Sequence, residues 1–214
     1  MKSSKEYKDL SIKEFTKAAK IYDQDYSGIY QTCKKNYPDI LEEVKKEDFE
    51  SLLDVGCGTG EVIYLLSHDL PNKQYVGLDL TPAMIDACNA KNIEGAKFIV
   101  GDAENLPFDE NSFDIILCSE SFHHYPSPND FFKSIYKVLN PGGKLILRDY
   151  IAEGGLNYFA NHIEMPLANK LGHGDVGVHT KAKLEKMIKD ANLTLESIKT
   201  YKLVKMHMVI RKSL

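Results

Sequence analysis

The sequence predicts a doubly wound α/β fold, built on a mostly parallel seven-stranded sheet with an antiparallel hairpin at its C-terminal edge. Short apolar runs alternate with helical patterns between residues 51 and 147, as expected when strands and helices follow one another in a parallel sheet. The first of these runs ends in an acid and a tight glycine turn, Leu52–Gly60. Two further strand-like runs, Thr194–Lys199 and Lys205–Ile210, are close enough together to form the hairpin.

The remaining elements follow from apolar runs and the turn residues between them. The parallel strands are expected at Ser51–Val55, Gln74–Leu80, Lys97–Val100, Phe113–Cys118 and Lys144–Leu147. Helices are expected over Glu61–His68, Thr81–Ala90, Asn129–Leu139 and Thr180–Ala191. Thr81 is a suitable N-cap because it precedes Pro82, which is favoured at the first helical position.

Two segments lie outside this alternation. The helical spacing of Phe15, Ala18, Ala19 and Tyr22 predicts an amphipathic helix over residues 10–24, and a second helix is expected over 29–46, interrupted at Tyr37-Pro38. Residues 1–48 would thus form an N-terminal helical cap. Residues 150–179 are rich in Gly, Asn and His and are expected to be a polar lid. The chain of 214 residues is interpreted as one domain, residues 1–214.

Composition excludes several classes of function. The 27 basic and 31 acidic residues give a net charge of −4, which disfavours binding to nucleic acid. No apolar run approaches the ~20 residues that span a bilayer, and no apolar signal region follows the N-terminus. The four cysteines form no C-x-x-C pair, so we expect reduced thiols in a cytoplasmic protein.

The glycine turn indicates a nucleoside ligand without phosphates. Gly56, Gly58 and Gly60 alternate, and Glu61 stands where a dinucleotide fingerprint has its third glycine. A carboxylate at the start of a helix opposes phosphate binding there. Asp79, at the end of the second strand, is placed to accept hydrogen bonds from two ribose hydroxyls.

Further acidic or polar residues follow the next strands. Asp102 could accept a hydrogen bond from an exocyclic amine while the backbone N–H of Ala103 donates to a ring nitrogen, a pairing that reads adenine. Five stretches match, in order and spacing, the motifs of class I S-adenosylmethionine (SAM)-dependent methyltransferases: Leu52–Gly60, Gly77–Thr81, Gly101–Phe108, Phe113–Tyr125 and Leu139–Leu147. Residues 15–149 most closely resemble the small-molecule branch that includes the ubiquinone/menaquinone-biosynthesis type.

This resemblance implies a Rossmann-like fold and roles for individual residues. SAM would be bound by the loop residues Gly56, Cys57, Gly58 and Gly60, and by Asp54, Asp79, Leu80, Asp102, Ala103 and Ser119. Asp54 would reach the ammonium group and Leu80 would pack against adenine. Tyr22 would meet the methionyl carboxylate, although it could equally be a core aromatic residue.

The reaction implied is transfer of the SAM methyl group to an O, N, S or C nucleophile of a small molecule, leaving S-adenosylhomocysteine. His124 is the candidate proton acceptor, with Glu120 a weaker one; alternatively, His123-His124 shapes the floor of the reaction chamber. No Asn-Pro-Pro-Tyr motif follows the fourth strand, which disfavours nucleic-acid acceptors. The alternatives are a non-catalytic SAM-binding protein and a nicotinamide-dependent oxidoreductase.

No metal site is expected from the sequence. The candidate ligands in the lid lack the spacing of a helical histidine pair or of any compact motif: His162, Glu164, His173, Asp175 and His179. Nothing in the sequence indicates the oligomeric state.

Overall fold

A computed structural model describes residues 2–21, 33–202 and 204–214. Its seven-stranded sheet has the order β3-β2-β1-β4-β5-β7-β6. The strands are β1 (Ser51–Val55), β2 (Gln74–Asp79), β3 (Ala96–Val100), β4 (Phe113–Ser119), β5 (Leu139–Tyr150), β6 (Leu193–Tyr201) and β7 (Lys205–Lys212). Strands β1 to β5 pair in parallel, and β7 is antiparallel to both β5 and β6. The predicted fold class is confirmed.

Helices cover both faces of the sheet. They are α1 (Ser4–Ala18), α2 (Tyr37–Val44), α3 (Glu61–Asp69), α4 (Pro82–Ala90), α5 (Pro128–Val138), α6 (Gly154–Phe159), α7 (Met165–Leu171) and α8 (Lys181–Asp190), with a 3-10 turn at Phe122–His124 and a π-helical turn at Ala160–Glu164. Alternate strand residues point to opposite faces. Thus Leu52 packs with α2 and α3, whereas Leu53 packs with α5 and α8. Among the described residues, no helix is long and apolar enough to cross a membrane.

Helix α1 begins six residues earlier than the expected start at residue 10. Ser3 and Glu6 form a capping box: the Ser3 side chain accepts from the Glu6 N–H, and the Glu6 carboxylate accepts from the Ser3 N–H at 2.6 Å. The first two turns carry little apolar periodicity, so the pattern missed them. The expected apolar face is confirmed in part, because Phe15 packs with Ala18 and Ala19 against Met84. Tyr22 lies outside the described residues.

The expected interruption of the second helix is confirmed: residues 33 and 34 are helical, residues 35 and 36 form a turn, and a new helix follows. Helix α2 begins at Tyr37, and Pro38 lies in its first turn, where a missing N–H costs no hydrogen bond. Residues 29–32 of the expected helix lie outside the described part of the chain.

Residues 150–179, expected to be a polar lid, contain a helical stretch over residues 154–171. Side-chain amides join this segment to the chain that follows it: Asn157 and Asn161 both donate to the Val178 carbonyl, at 2.9 and 2.8 Å. Six large apolar side chains of this segment are between 47% and 75% exposed: Leu156, Tyr158, Phe159, Ile163, Leu167 and Leu171.

We predict that Phe131→Ala lowers the free energy of unfolding by about 3–5 kcal/mol, since Phe131 is fully buried among aromatic side chains beneath β4 and β5. Urea denaturation measures the change. Tyr158→Ala is the matched control, because that ring is 62% exposed and should cost under about 1 kcal/mol. Equal losses in the two variants would contradict the described core.

Candidate functional site

The glycine turn after β1 is held by the end of β2. The Leu78 carbonyl accepts from the N–H groups of Gly56 and Cys57, at 2.7 and 3.1 Å. The Asp79 carboxylate accepts from the Gly58 N–H at 3.0 Å and from the Thr81 N–H at 2.8 Å. The turn is thus fixed between two strand tips, with Asp79 in contact with it.

The residues of the glycine turn have different neighbours, and only some of them border a cavity. Gly56 has φ +73°, and a Cβ there would overlap the Ser121 side chain, so glycine is required. Gly60 has φ +77° and lies against Phe98 and Cys88, which places it in helix–strand packing rather than at a cavity. The Cys57 thiol is buried beside Cys88. The hydrogen bond with Cys88 is the larger cause, and burial the next, of a Cys57 pKa well above its usual value.

A cavity of about 710 Å³, including its open mouth, lies over the carboxyl ends of the strands. It is lined by most of the predicted site residues: Gly56, Gly58, Asp79, Leu80, Asp102, Ala103, Ser119 and His124. Asp54 and Cys57 instead line a second, smaller cavity. The two cavities share Gly56, Gly58 and Ser119, so they are adjacent compartments at one sheet edge.

Helix α1 covers the main cavity, which the sequence predicted only in general terms. Lys8, Ser11 and Phe15 lie on one face of α1 and line the cavity. The Lys8 ammonium pairs with Asp102 at 2.7 Å and also contacts Glu104. The spacing of these three residues is typical of one helix face. A search for apolar periodicity does not find it, because Lys8 and Ser11 are polar.

Tyr37 also escaped the sequence prediction. It is buried at the start of α2 and lines the smaller cavity together with Asp54.

Two acids, Asp54 buried and Asp79 half-buried, determine the electrostatics of the site. Burial, and then the charge of Asp79, raise the pKa of Asp54 to about 7. Burial raises the pKa of Asp79 to about 6, even though the N–H groups of Thr81 and Gly58 oppose the rise. Among the described residues, Lys8 is the one lysine or arginine that lines either cavity. The arrangement therefore favours a ligand with positive charge.

Two buried polar atoms at the main cavity have no hydrogen-bond partner among the described residues: Ser119 Oγ and His124 Nδ1. A buried, unpartnered polar group costs free energy, and such groups commonly mark a place where a ligand binds.

The adjacent histidines have opposite electrostatic environments. Burial lowers the pKa of His123, but the buried Asp149 outweighs it through its charge and a 2.8 Å hydrogen bond to Nδ1, so that the net shift is upward. Burial, and then the positive charge of His123, lower the pKa of His124 to about 4. His124 is therefore neutral near pH 7 and can accept a proton.

Glu120 lies at the same end of the cavity. It has φ +52°, and its carboxylate accepts from Asn36 Nδ2 at 2.8 Å and pairs with Lys205. Burial and the charge of Asp149 raise its pKa, although Lys205 opposes the shift. Glu120 is thus occupied by two partners, which makes it a poorer proton acceptor than His124.

We predict that Asp54→Asn stabilises the protein at neutral pH. The pKa of Asp54 is higher in the folded chain than in the unfolded chain, so unfolding releases a proton between about pH 4 and 7. Wild-type stability is consequently lost as pH rises through that window. The variant should exceed the wild type by only about 1 kcal/mol near about pH 4.5 and by on the order of 2–4 kcal/mol near about pH 7.5.

Urea denaturation at the two pH values measures this difference. Asp86→Asn, at an exposed position on α4, is the control and should leave the wild-type pH dependence unchanged. A difference between Asp54→Asn and wild type that is the same at both pH values would rule out a buried, ionised Asp54.

Comparisons with known proteins agree with this geometry. Residues 53–147 match a family model described as "Methyltransferase domain". The phthiotriol/phenolphthiotriol dimycocerosates methyltransferase of Mycobacterium leprae is 42% identical over 99 residues, which are 46% of this chain and 37% of that protein. The fatty-acid O-methyltransferase of Mycolicibacterium smegmatis is 39% identical over 99 residues, 46% of this chain and 36% of that protein. The match therefore spans little more than a third of these relatives.

Solved structures extend the likeness of fold beyond that stretch. A SAM-dependent methyltransferase from Methanosarcina mazei superposes with a TM-score of 0.66 at 20% identity, covering 82% of this chain and 97% of that one. The resemblance found in the sequence is thereby confirmed: residues 53–147 carry a methyltransferase-domain sequence, and the described chain has the fold of the class I SAM-dependent methyltransferases.

Proposed function

We propose that this protein transfers a methyl group from SAM to a small-molecule acceptor. The observation that carries the proposal is the pair of acids, Asp54 buried and Asp79 half-buried, on either side of a glycine turn that is open to two joined cavities. SAM carries positive charge on its sulfur and its ammonium group and has no phosphate. A cationic, nucleoside-containing ligand would relieve the cost of burying these carboxylates.

The two compartments fit the two halves of SAM. Asp79, Leu80, Asp102 and Ala103 line the main cavity and would hold the ribose and adenine. Asp54 in the smaller cavity would face the ammonium group. Gly56, Gly58 and the unpartnered Ser119 Oγ, at the boundary, would contact the part that joins the two halves. Gly60 would support the turn from behind.

A nicotinamide cofactor fits less well. Glu61 occupies the first turn of α3 and pairs with Lys91 at 3.0 Å, so its carboxylate stands near the helix N-terminus that would bind a pyrophosphate. The acidic walls of both cavities would also repel phosphate groups.

In the proposed reaction, the protein positions the acceptor and removes its proton. Bound SAM supplies a methyl group on a positively charged sulfur. As a hydroxyl oxygen attacks the methyl carbon, its proton becomes far more acidic, so a neutral His124 can take it despite a pKa of about 4. Helix α1, which lines the cavity through Lys8, Ser11 and Phe15, would exclude water from it.

An apolar acceptor with an oxygen nucleophile is the best candidate. The two relatives above are named for lipid acceptors, one explicitly as a fatty-acid O-methyltransferase. The helical part of residues 150–179 bears exposed apolar side chains, which would contact an apolar acceptor more favourably than a polar one.

We predict that the wild type binds SAM and S-adenosylhomocysteine with micromolar affinity, and does not bind NAD. Asp79→Asn should weaken SAM binding at least about tenfold, because one hydrogen bond to a charged group contributes about 1.5–3 kcal/mol. Calorimetric titration measures both results, and Asp86→Asn is the control for a lost surface charge. Binding of NAD alone, or an unchanged affinity in Asp79→Asn, would refute the proposed cofactor site.

We predict that His124→Ala reduces methyl transfer about 10²–10⁴-fold while SAM affinity changes less than about threefold. Turnover is measured as S-adenosylhomocysteine formation with fatty alcohols, fatty acids and phenols. His162→Ala is the control, because His162 lies on the outer side of the lid with an exposed side chain. Undiminished turnover in His124→Ala would exclude it as the base. Tight SAM binding without wild-type turnover on any acceptor would favour the non-catalytic alternative.

A further inference from the structure

Three potential metal ligands converge beside the main cavity. His123 and His124 belong to the 3-10 turn after β4, whereas Asp175 comes from the segment between α7 and α8. His123 Nε2 and His124 Nδ1 each lie 3.6 Å from the same oxygen, Asp175 Oδ1. The three ligand atoms all lie within 4.8 Å of one another. Their side chains are 11%, 11% and 25% exposed, so this is a protected cluster rather than a surface one.

A second observation concerns how the two imidazoles are held. Asp149, which is fully buried, fixes His123 through Nδ1 at 2.8 Å and leaves Nε2 directed at the cluster. This carboxylate–histidine arrangement typically orients a metal-binding imidazole. His124 Nδ1 is buried and has no hydrogen-bond partner among the described residues. One ligand is therefore pre-oriented, and another is left without the partner that its burial requires.

We propose that His123, His124 and Asp175 bind a divalent transition-metal ion of the Zn²⁺ or Co²⁺ class. Two imidazoles and one carboxylate are a donor set that such ions favour. Around a tetrahedral ion with bonds of about 2.0–2.1 Å, ligand atoms are about 3.3 Å apart, close to the 3.6 Å separations found here. Three protein ligands leave a fourth position open.

Binding requires a small adjustment of the rings. The two imidazoles lie 4.1 Å apart and are tilted by 39°, whereas an ion must lie near both ring planes. His124 borders the cavity and can rotate toward the shared ion, while Asp149 keeps His123 in place. The open coordination position would then be next to the main cavity.

The site also spans two parts of the fold. The N–H groups of Val176 and Gly177 donate to the His123 carbonyl at 2.9 and 3.2 Å, so the backbone on both sides of the cluster is already joined. An ion would add a stronger link between the lid segment and the end of β4. No sequence motif could indicate this site, because Asp175 lies 51 residues beyond His124.

This inference does not rest on methyl transfer. A metal ion and a proton compete for an imidazole nitrogen, so a His124 that is bound to metal would not also serve as the proposed proton acceptor. The two roles can be separated because metal binding is measurable without SAM.

The test uses the untagged full-length protein, stripped with a chelator, because a polyhistidine tag would itself bind metal. Zn²⁺ is titrated against a chromophoric chelator, and Co²⁺ binding is followed by its visible absorption. We expect one equivalent to bind. Asp149→Asn, which leaves the three ligands intact, should weaken binding about 10–100-fold. Hydrogen exchange of residues 173–178 should slow when Zn²⁺ is bound.

Variants of the ligands supply the controls. His124→Ala and Asp175→Asn should each lose at least about tenfold in affinity. His162→Ala, which removes an exposed histidine of the lid, should bind like the wild type, and circular dichroism verifies that every variant is folded. Absence of stoichiometric binding, or equal affinity in wild type, His124→Ala and Asp175→Asn, would overturn the metal site. Either outcome leaves the SAM titration to be judged separately.

Discussion

The functional end of this molecule depends on hydrogen bonds between the tip of one strand and the turn that follows its neighbour. The carbonyl of Leu78 and the carboxylate of Asp79 accept the N–H groups of the glycine turn after β1. The turn is therefore placed by the parallel register of β1 and β2, which pairs Val55 with Leu78. A shift of that register would displace the turn, both acids and the shared wall of the two cavities together.

The same arrangement removes two carboxylates from water, and no lysine or arginine among the described residues that line the cavities pairs with them. Asp54 is buried and Asp79 is half-buried, and the partial loss of contact with water raises the pKa of each. Lys8 forms ion pairs with two other acids, Asp102 and Glu104, on the other side of the cavity. Among residues 2–21, 33–202 and 204–214, negative charge and an unpartnered hydroxyl, Ser119 Oγ, thus surround one space. The charge of such a site is complementary to that of a cationic ligand without any rearrangement of the acids.

Local signals explain what the sequence could predict. The order of strands, the acids at their tips and the glycine turn all depend on residues close together in the chain, and the structure has the predicted strands. The start of α1 was missed because a capping box, not apolar periodicity, sets it. The helices of residues 154–171 depend on amide side chains that reach the distant Val178. The contact of Asp175 with His123 requires the folded segment between α7 and α8 and has no signature in sequence spacing.

The cover formed by α1 has a consequence for the kinetics of ligand exchange. At one end of the cavity, Lys8 of α1 is paired with Asp102, and at the other end Phe15 of the same helix meets the His124 ring edge-on at 5.1 Å. A ligand that leaves beneath α1 must loosen both contacts, so the two ends of the cavity open as a unit. Because the Lys8 ion pair is only partly buried, added salt weakens it and shortens the residence time of whatever the helix encloses.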